Sequence, residues 1–233
     1  MKTIGLIGGT SWVSTMDYYR LINQLIHKKL GASNAARIIL YSVNFQEFKN
    51  LLDADNWIEI AKEFSDIALK LEAAGAECIV IGANTPHLIA EDVQKAVQVP
   101  LIHIAAETAK EIVNQKIKKV AILGTRFVMD RPFFKDKLSH YGIETILPGE
   151  AEKDFIHNSI FAELTRDIFT EETKNIYLQV IKQLIQQGAE GIIYACTEIP
   201  ILLKECEVKV KTFDTTYIHA KAVVAFALEE SNL

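Results

Sequence analysis

Two stretches of the chain carry one pattern. Residues 74–85 read AGAECIVIGANT, and residues 187–198 read QGAEGIIYACTE. Each passes from the end of an amphipathic segment through Gly-Ala-Glu into a short apolar run, then into a small polar loop. They align at an offset of 113 residues, the interval from Gly75 to Gly188. A second, looser pair is IGLIGGT at 4–10 and VAILGTR at 120–126. Strand–turn–helix chemistry alone makes such loops look alike, but this match is longer than that explains. Self-similarity at a fixed interval marks a duplicated unit. At this offset Ala83 corresponds to Cys196, Asn84 to Thr197, and Thr85 to Glu198.

The rest of the chain fits that frame. Short β-branched runs at 3–7, 38–43, 78–81, 101–104, 119–123, 144–146, 191–194 and 210–213 are strand candidates. Between them lie segments of helical period: Ile60, Phe64, Ile67, Ala68 and Leu71 before Gly75, and Ile176, Val180, Ile181, Leu184 and Ile185 before Gly188. Each of these helices should end with its glycine in the left-handed conformation just past the last turn. Strands alternating with helices predict parallel sheets. The expected fold is α/β, with two pseudo-symmetric lobes, each a mostly parallel sheet flanked by helices. The first lobe is expected at 1–100 plus 214–233, the second at 101–213, with the final helix packing back on the first. Ligands of parallel sheets bind beyond the carboxyl ends of the strands. The active site is therefore expected in the cleft between lobes, where the loops after Ile81 and Tyr194 would face each other.

Charge and cysteine content narrow the function. A net charge of −5 without a basic run offers no footprint for nucleic acid or an anionic membrane surface. The apolar start of the chain is too short for a signal peptide, and no uncharged run is long enough to span a bilayer. A cytoplasmic protein is expected. Three cysteines, Cys78, Cys196 and Cys206, are too few and too irregularly spaced for a disulfide framework or a zinc knuckle. No histidine pair has metal-ligand spacing, so no metal is expected. The Gly-Gly of IGLIGGT is not a dinucleotide fingerprint, and no acidic residue ends the second strand to hold a ribose.

The chemistry therefore falls to the loops. Thr10, Ser11, Asn84, Thr85, Thr125 and Thr197 crowd the expected strand ends. Some of these are helix N-caps; the rest suit binding of a small carboxylate, together with helix N-terminal amides. Cys196 sits between a buried-type strand and a helix start, a place that lowers a thiol's pKa from its ordinary ~8.5. Cys78, at the head of a strand, and Cys206, in a charged stretch, read as small hydrophobes. His87 reads as a residue that caps or orients its loop, and His103 as a core histidine. His27, His140, His157 and His219 read as positions without partners.

The segments IGLIGGTSWVSTMDYYRLIN at the start, ANTPH at 83–87, LGTRFVM at 123–129, CTEIP at 196–200 and FDTTYIHA at 213–220 together resemble the aspartate/glutamate racemase family. The resemblance spans nearly the whole chain. It implies a racemase without pyridoxal phosphate or other cofactor, acting on aspartate or glutamate, and commonly a homodimer. It implies two thiols flanking the substrate α-carbon, one removing the α-proton and one returning a proton to the opposite face. Cys196 matches the second thiol. Asn84, Thr85 and Thr197 then stabilise the charge that develops on the carboxylate, Glu198 meets the substrate ammonium, and Thr10 touches substrate. Thr125 completes the substrate loops, and Lys49 is the candidate for a distal carboxylate. The departure is Ala83, which stands where the family has its first thiol. A methyl group neither gives nor takes a proton, so the symmetrical scheme cannot run as written. Three readings stay open: another group or a trapped water serves the Ala83 face and racemisation is slow or depends on the starting enantiomer; the protein is a one-thiol isomerase or decarboxylase of a small carboxylic acid, as in the related arylmalonate decarboxylases; or it is an amino-acid binder without turnover.

Overall fold

The structure is a computed structural model that describes residues 1–204 and 208–229. Cys206 lies outside the described residues. Two compact units divide the chain: Met1–His103 with His219–Leu233, and Ile104–Ile218.

The first unit runs β1 (Ile4–Gly8), α1 (Trp12–Leu30), β2 (Ile38–Ser42), α2 (Phe45–Asp53), α3 (Trp57–Ala73), β3 (Cys78–Ile81), a 3₁₀ turn (Thr85–Ile89) and α4 (Ala90–Ala96). Its sheet is parallel in the order β2-β1-β3. The second unit runs α5 (Ile104–Asn114), β4 (Lys119–Gly124), α6 (Arg126–Asp130), α7 (Pro132–His140), β5 (Glu144–Ile146), α8 (Glu150–Ala162), α9 (Glu171–Gln186), β6 (Gly191–Ala195), α10 (Ile199–Leu202) and β7 (Lys211–Asp214). Its sheet is parallel in the order β5-β4-β6-β7. The last helix, α11 (Thr215–Ala227), starts in the second unit and ends in the first.

The Gly-Ala-Glu repeat has one physical meaning in both units. Gly75 and Gly188 adopt φ of +96° and +97°, which side chains other than glycine rarely tolerate. The following amide then turns back to the helix, Ala76 N to Leu71 O and Ala189 N to Leu184 O, satisfying carbonyls the helix end would orphan. The glutamate tethers the neighbouring strand. Glu77 Oε2 accepts the Thr3 amide at 2.7 Å, and Glu190 Oε2 accepts the Lys118 amide at 2.9 Å. Each motif thus ends a helix, reverses the chain, and pins the start of the central strand beside it.

Burial follows the sequence periods, with two corrections. On α3 the five expected residues, Ile60, Phe64, Ile67, Ala68 and Leu71, are all buried. On α9 the buried stripe is Thr173, Tyr177, Val180, Ile181 and Leu184, while Ile176 and Ile185 are only partly buried. The bulk of Tyr177 centres that stripe, and a count of aliphatic residues alone misplaces its edge. The strand expected at 101–104 is reduced to a single parallel bridge, Leu101 to Ile79, and Ile104 already opens α5. The final helix packs where expected: Ala220, Val223, Val224 and Ala227 join Tyr18, Ile22 and Ile26 of α1 against Ile4, Leu6, Cys78 and Val80. Burying a large aliphatic side chain contributes about 1.5–3 kcal/mol, so this layer is a major part of what holds the first unit together.

Candidate active site

In the first unit, β1 and β3 are neighbours, so the loops that follow them lie at the same edge of the sheet. Thr10, Asn84 and Thr85 are buried there, and Ala83 is half-buried. Capping explains only part of this cluster. Ser11 caps α1 by accepting the Ser14 amide. Thr10 is no cap; its Oγ1 has no hydrogen-bond partner among the described residues. Two residues not singled out in the sequence hold the loops. Ser14 Oγ donates to Gly82 O at 2.7 Å, and Thr15 Oγ1 accepts the Gly9 amide and donates to Ser11 O, both at 2.8 Å. Their signal was their place in the first turn of α1, which reads as ordinary helix.

Beneath Ala83 lies a histidine cluster. His87 Nδ1 donates to Ala83 O at 2.7 Å, orienting the loop. Its ring lies 4.9 Å from that of His103 and 5.6 Å from that of His219, centroid to centroid. His219 is fully buried rather than unpartnered: Nδ1 meets Tyr18 Oη at 2.8 Å, and Nε2 donates to Ile102 O at 2.7 Å. Burial holds both rings toward the neutral form, His87 well below the usual histidine range and His219 lowered to about 4. His157 and His140 also have partners, the Arg126 amide and Asp136 O. Cys78 is buried in β3 at the far end of the strand, and burial pushes its thiol up to about 12.

Lys49 lies on α2, and its ammonium pairs with Asp53 at 2.5 Å.

In the second unit, Thr125 follows β4 and Cys196 follows β6, and Gly124 is paired with Ala195 at the sheet edge. Cys196, Thr197 and Glu198 form one buried cluster. Glu198 Oε2 accepts a hydrogen bond from Cys196 Sγ at 3.1 Å and from Thr197 Oγ1 at 2.5 Å. The expectation of a thiol eased toward thiolate is corrected here. Burial, and then the adjacent Glu198 charge, drive the Cys196 thiol well above its ordinary range. The helix beyond, α10, has only four residues, so its dipole is weak against those two effects. The geometry also turns Glu198 toward the sulfur, and the one proton of the Thr197 hydroxyl is given to Glu198.

Each parallel-sheet unit thus carries a polar loop at the carboxyl edge of its central strands, and the second unit holds a buried thiol beside a carboxylate. The profile of the Asp/Glu/Hydantoin racemase family matches residues 7–223, and the chain belongs to that family. It is an isomerase of the racemase class. A curated relative, the broad specificity amino-acid racemase RacX of Bacillus subtilis, is 28 % identical over 95 % of this chain and 96 % of its own length. A candidate Asp/Glu racemase structure from Yersinia pestis superposes with a TM-score of 0.91 at 44 % identity, covering 98 % of this chain and all of that one. An aspartate racemase homologue from Pyrococcus horikoshii superposes with a TM-score of 0.85 at 36 % identity, again over 98 % of this chain and the whole of that one. No helix among the described residues is long and apolar enough to cross a membrane.

Proposed function

We propose that the protein moves a proton at the α-carbon of aspartate or glutamate, with Cys196 as its one catalytic thiol and no cofactor. The observation that carries this reading is the Cys196–Glu198 hydrogen bond. Glu198 takes the thiol proton, leaving a Cys196 thiolate and a neutral carboxyl. The thiolate then takes the substrate α-proton, and the electron pair passes onto the substrate carboxylate. Reversal returns a proton to the same face. Glu198, first assigned to the substrate ammonium, is on this reading the base that makes the thiolate.

The duplication of 74–85 and 187–198 gives each unit a loop of the same kind. Thr10, Asn84, Thr85 and Thr125 are the proposed substrate-binding residues, while Thr197 holds Glu198. Lys49 stays the candidate for a distal carboxylate, because an exposed i,i+4 ion pair is worth only about 0.3–0.5 kcal/mol and exchanges readily. With Ala83 in place of a second thiol, water supplies the proton that inversion needs and the hydroxide left is neutralised through solvent by the proton Glu198 took, so inversion is slower than exchange at Cys196. The two cysteines among the described residues, Cys78 and Cys196, are free thiols, which fits a reducing cytoplasm, where we place the protein. We also propose a homodimer, since Trp12, Met16 and Tyr19 leave an apolar face of α1 more than half exposed; sedimentation at two concentrations tests it. The function itself is tested by following D- and L-aspartate and glutamate on a chiral column. Slow interconversion of at least one pair supports it; inertness toward all four, with decarboxylation of a malonate instead, supports the one-thiol decarboxylase.

A further inference from the structure

Thr216 lies in the FDTTYIHA segment, a motif to which the scheme above gives no work. It stands in the first turn of α11, only 3 % exposed, and its Oγ1 has no hydrogen-bond partner among the described residues. Its surroundings are otherwise satisfied. Thr215 Oγ1 donates to Tyr194 O at 2.9 Å. Asp214 Oδ1 accepts the amides of Thr216 at 2.9 Å and Tyr217 at 3.1 Å, which caps the helix. The fold therefore holds Thr216 firmly and makes no use of its hydroxyl. A buried hydroxyl without a partner is rare enough to require an explanation.

Register supplies one. Asp214 is paired with Tyr194 across β6 and β7. Thr216 lies two residues past Asp214, as Cys196 lies two past Tyr194. Both stand just beyond the carboxyl edge of the same sheet, where parallel sheets bind ligands. We propose that Thr216 is a substrate-binding residue whose hydroxyl donates to the substrate carboxylate beside Cys196. This rests on the reading of the Cys196 loop as the reaction site. As the α-proton leaves, negative charge grows on the carboxylate oxygens. A donor fixed by the fold, with no bond of its own to surrender, meets that charge without reorganisation. Thr197 cannot supply it while its proton is held by Glu198. Thr216 adds such a donor at this edge of the sheet.

The test compares wild type, Thr216→Val and Thr216→Ser. Valine keeps the shape and deletes the hydroxyl; serine keeps the hydroxyl. Binding of D- and L-aspartate and glutamate is measured by calorimetry, α-deuterium exchange by NMR, and folding by thermal melts. Thr216→Val is expected to melt at or above the wild-type temperature, to bind more weakly, and to lose roughly a hundredfold in exchange kcat/KM. Thr216→Ser is expected to stay near wild type. If wild type binds an amino acid without exchanging it and Thr216→Val loses that binding, the proposal stands and the racemase reading falls. If wild type exchanges and Thr216→Val exchanges and binds equally well, the racemase reading stands and this proposal falls. Parallel losses of stability and binding in both variants, or a wild type that binds none of the four amino acids, also overturn it.

Discussion

The Cys196 thiol donates a hydrogen bond to the Glu198 carboxylate across 3.1 Å, inside a cluster from which solvent is almost excluded. The carboxylate that would receive the thiol proton is also the charge that opposes the thiolate. The thiol rests protonated, and on the proposed reading Glu198 is the base that draws its proton off.

Glu198→Gln separates these two effects. Removing the negative charge lowers the Cys196 pKa, since burial and the Glu198 charge are what raise it. Removing the base slows catalysis by about 10²–10⁴, the usual worth of a positioned general base. Thiolate absorbance titrated against pH, together with exchange rates, checks both. A variant with more thiolate and less activity supports the base assignment; a variant with more thiolate and more activity makes Glu198 a mere brake.

Ala83→Cys should restore the second acid–base group that the family pattern has at this position. Ala83 is the half-buried residue of an otherwise buried loop, so a sulfur has space to point outward. A gain of about a hundredfold in inversion corresponds to about 2.7 kcal/mol of barrier. Chiral chromatography of the products measures it. Unchanged inversion in a folded variant would separate the two loops functionally.

Stability should fall in mild acid through the buried histidines. The folded pKa of His219 is lowered to about 4 by burial, whereas an unfolded histidine titrates near 6.5. The unfolded chain therefore binds more protons between those values. This contribution is fully present above about pH 6.5 and is lost as pH falls toward 4, by roughly 3 kcal/mol at the lower end. His87 acts in the same direction. Urea melts at pH 7.5, 6 and 4.5 follow the slope; equal stability at all three would show that the cluster is hydrated.

The repeated glutamates should matter for folding and not for turnover. Glu77→Ala and Glu190→Ala each remove the acceptor of a strand-tethering amide. Both sites are exposed, so each loss is about 1 kcal/mol, and glutamine, which keeps the acceptor, should recover most of it. Denaturant melts beside kcat/KM at saturating stability distinguish this from a role in the site.

Much of this was legible in the chain because it is enforced locally. Gly75 and Gly188 announce helix ends by a backbone conformation that side chains avoid, and the apolar quartets after them have nowhere to go but a sheet core. The misses have a common cause. Leu101 has strand chemistry, but only one ladder contact is available to it. His219 looked unpartnered because Tyr18, 201 residues away in sequence, is its partner. Cys196 looked activated because a helix start is visible in sequence, whereas full desolvation beside Glu198 is not. Thr216 was legible only as part of the FDTTYIHA motif, since a buried hydroxyl without a partner is defined by what surrounds it in three dimensions.

The most direct test is α-proton exchange of D- and L-aspartate and glutamate in D₂O, read by proton NMR for wild type and Cys196→Ala. Deuterium should enter one enantiomer well ahead of any inversion, and Cys196→Ala should abolish that exchange while keeping the wild-type fold. Exchange that survives in Cys196→Ala, or that proceeds equally in both enantiomers, would contradict a single thiol working from one face.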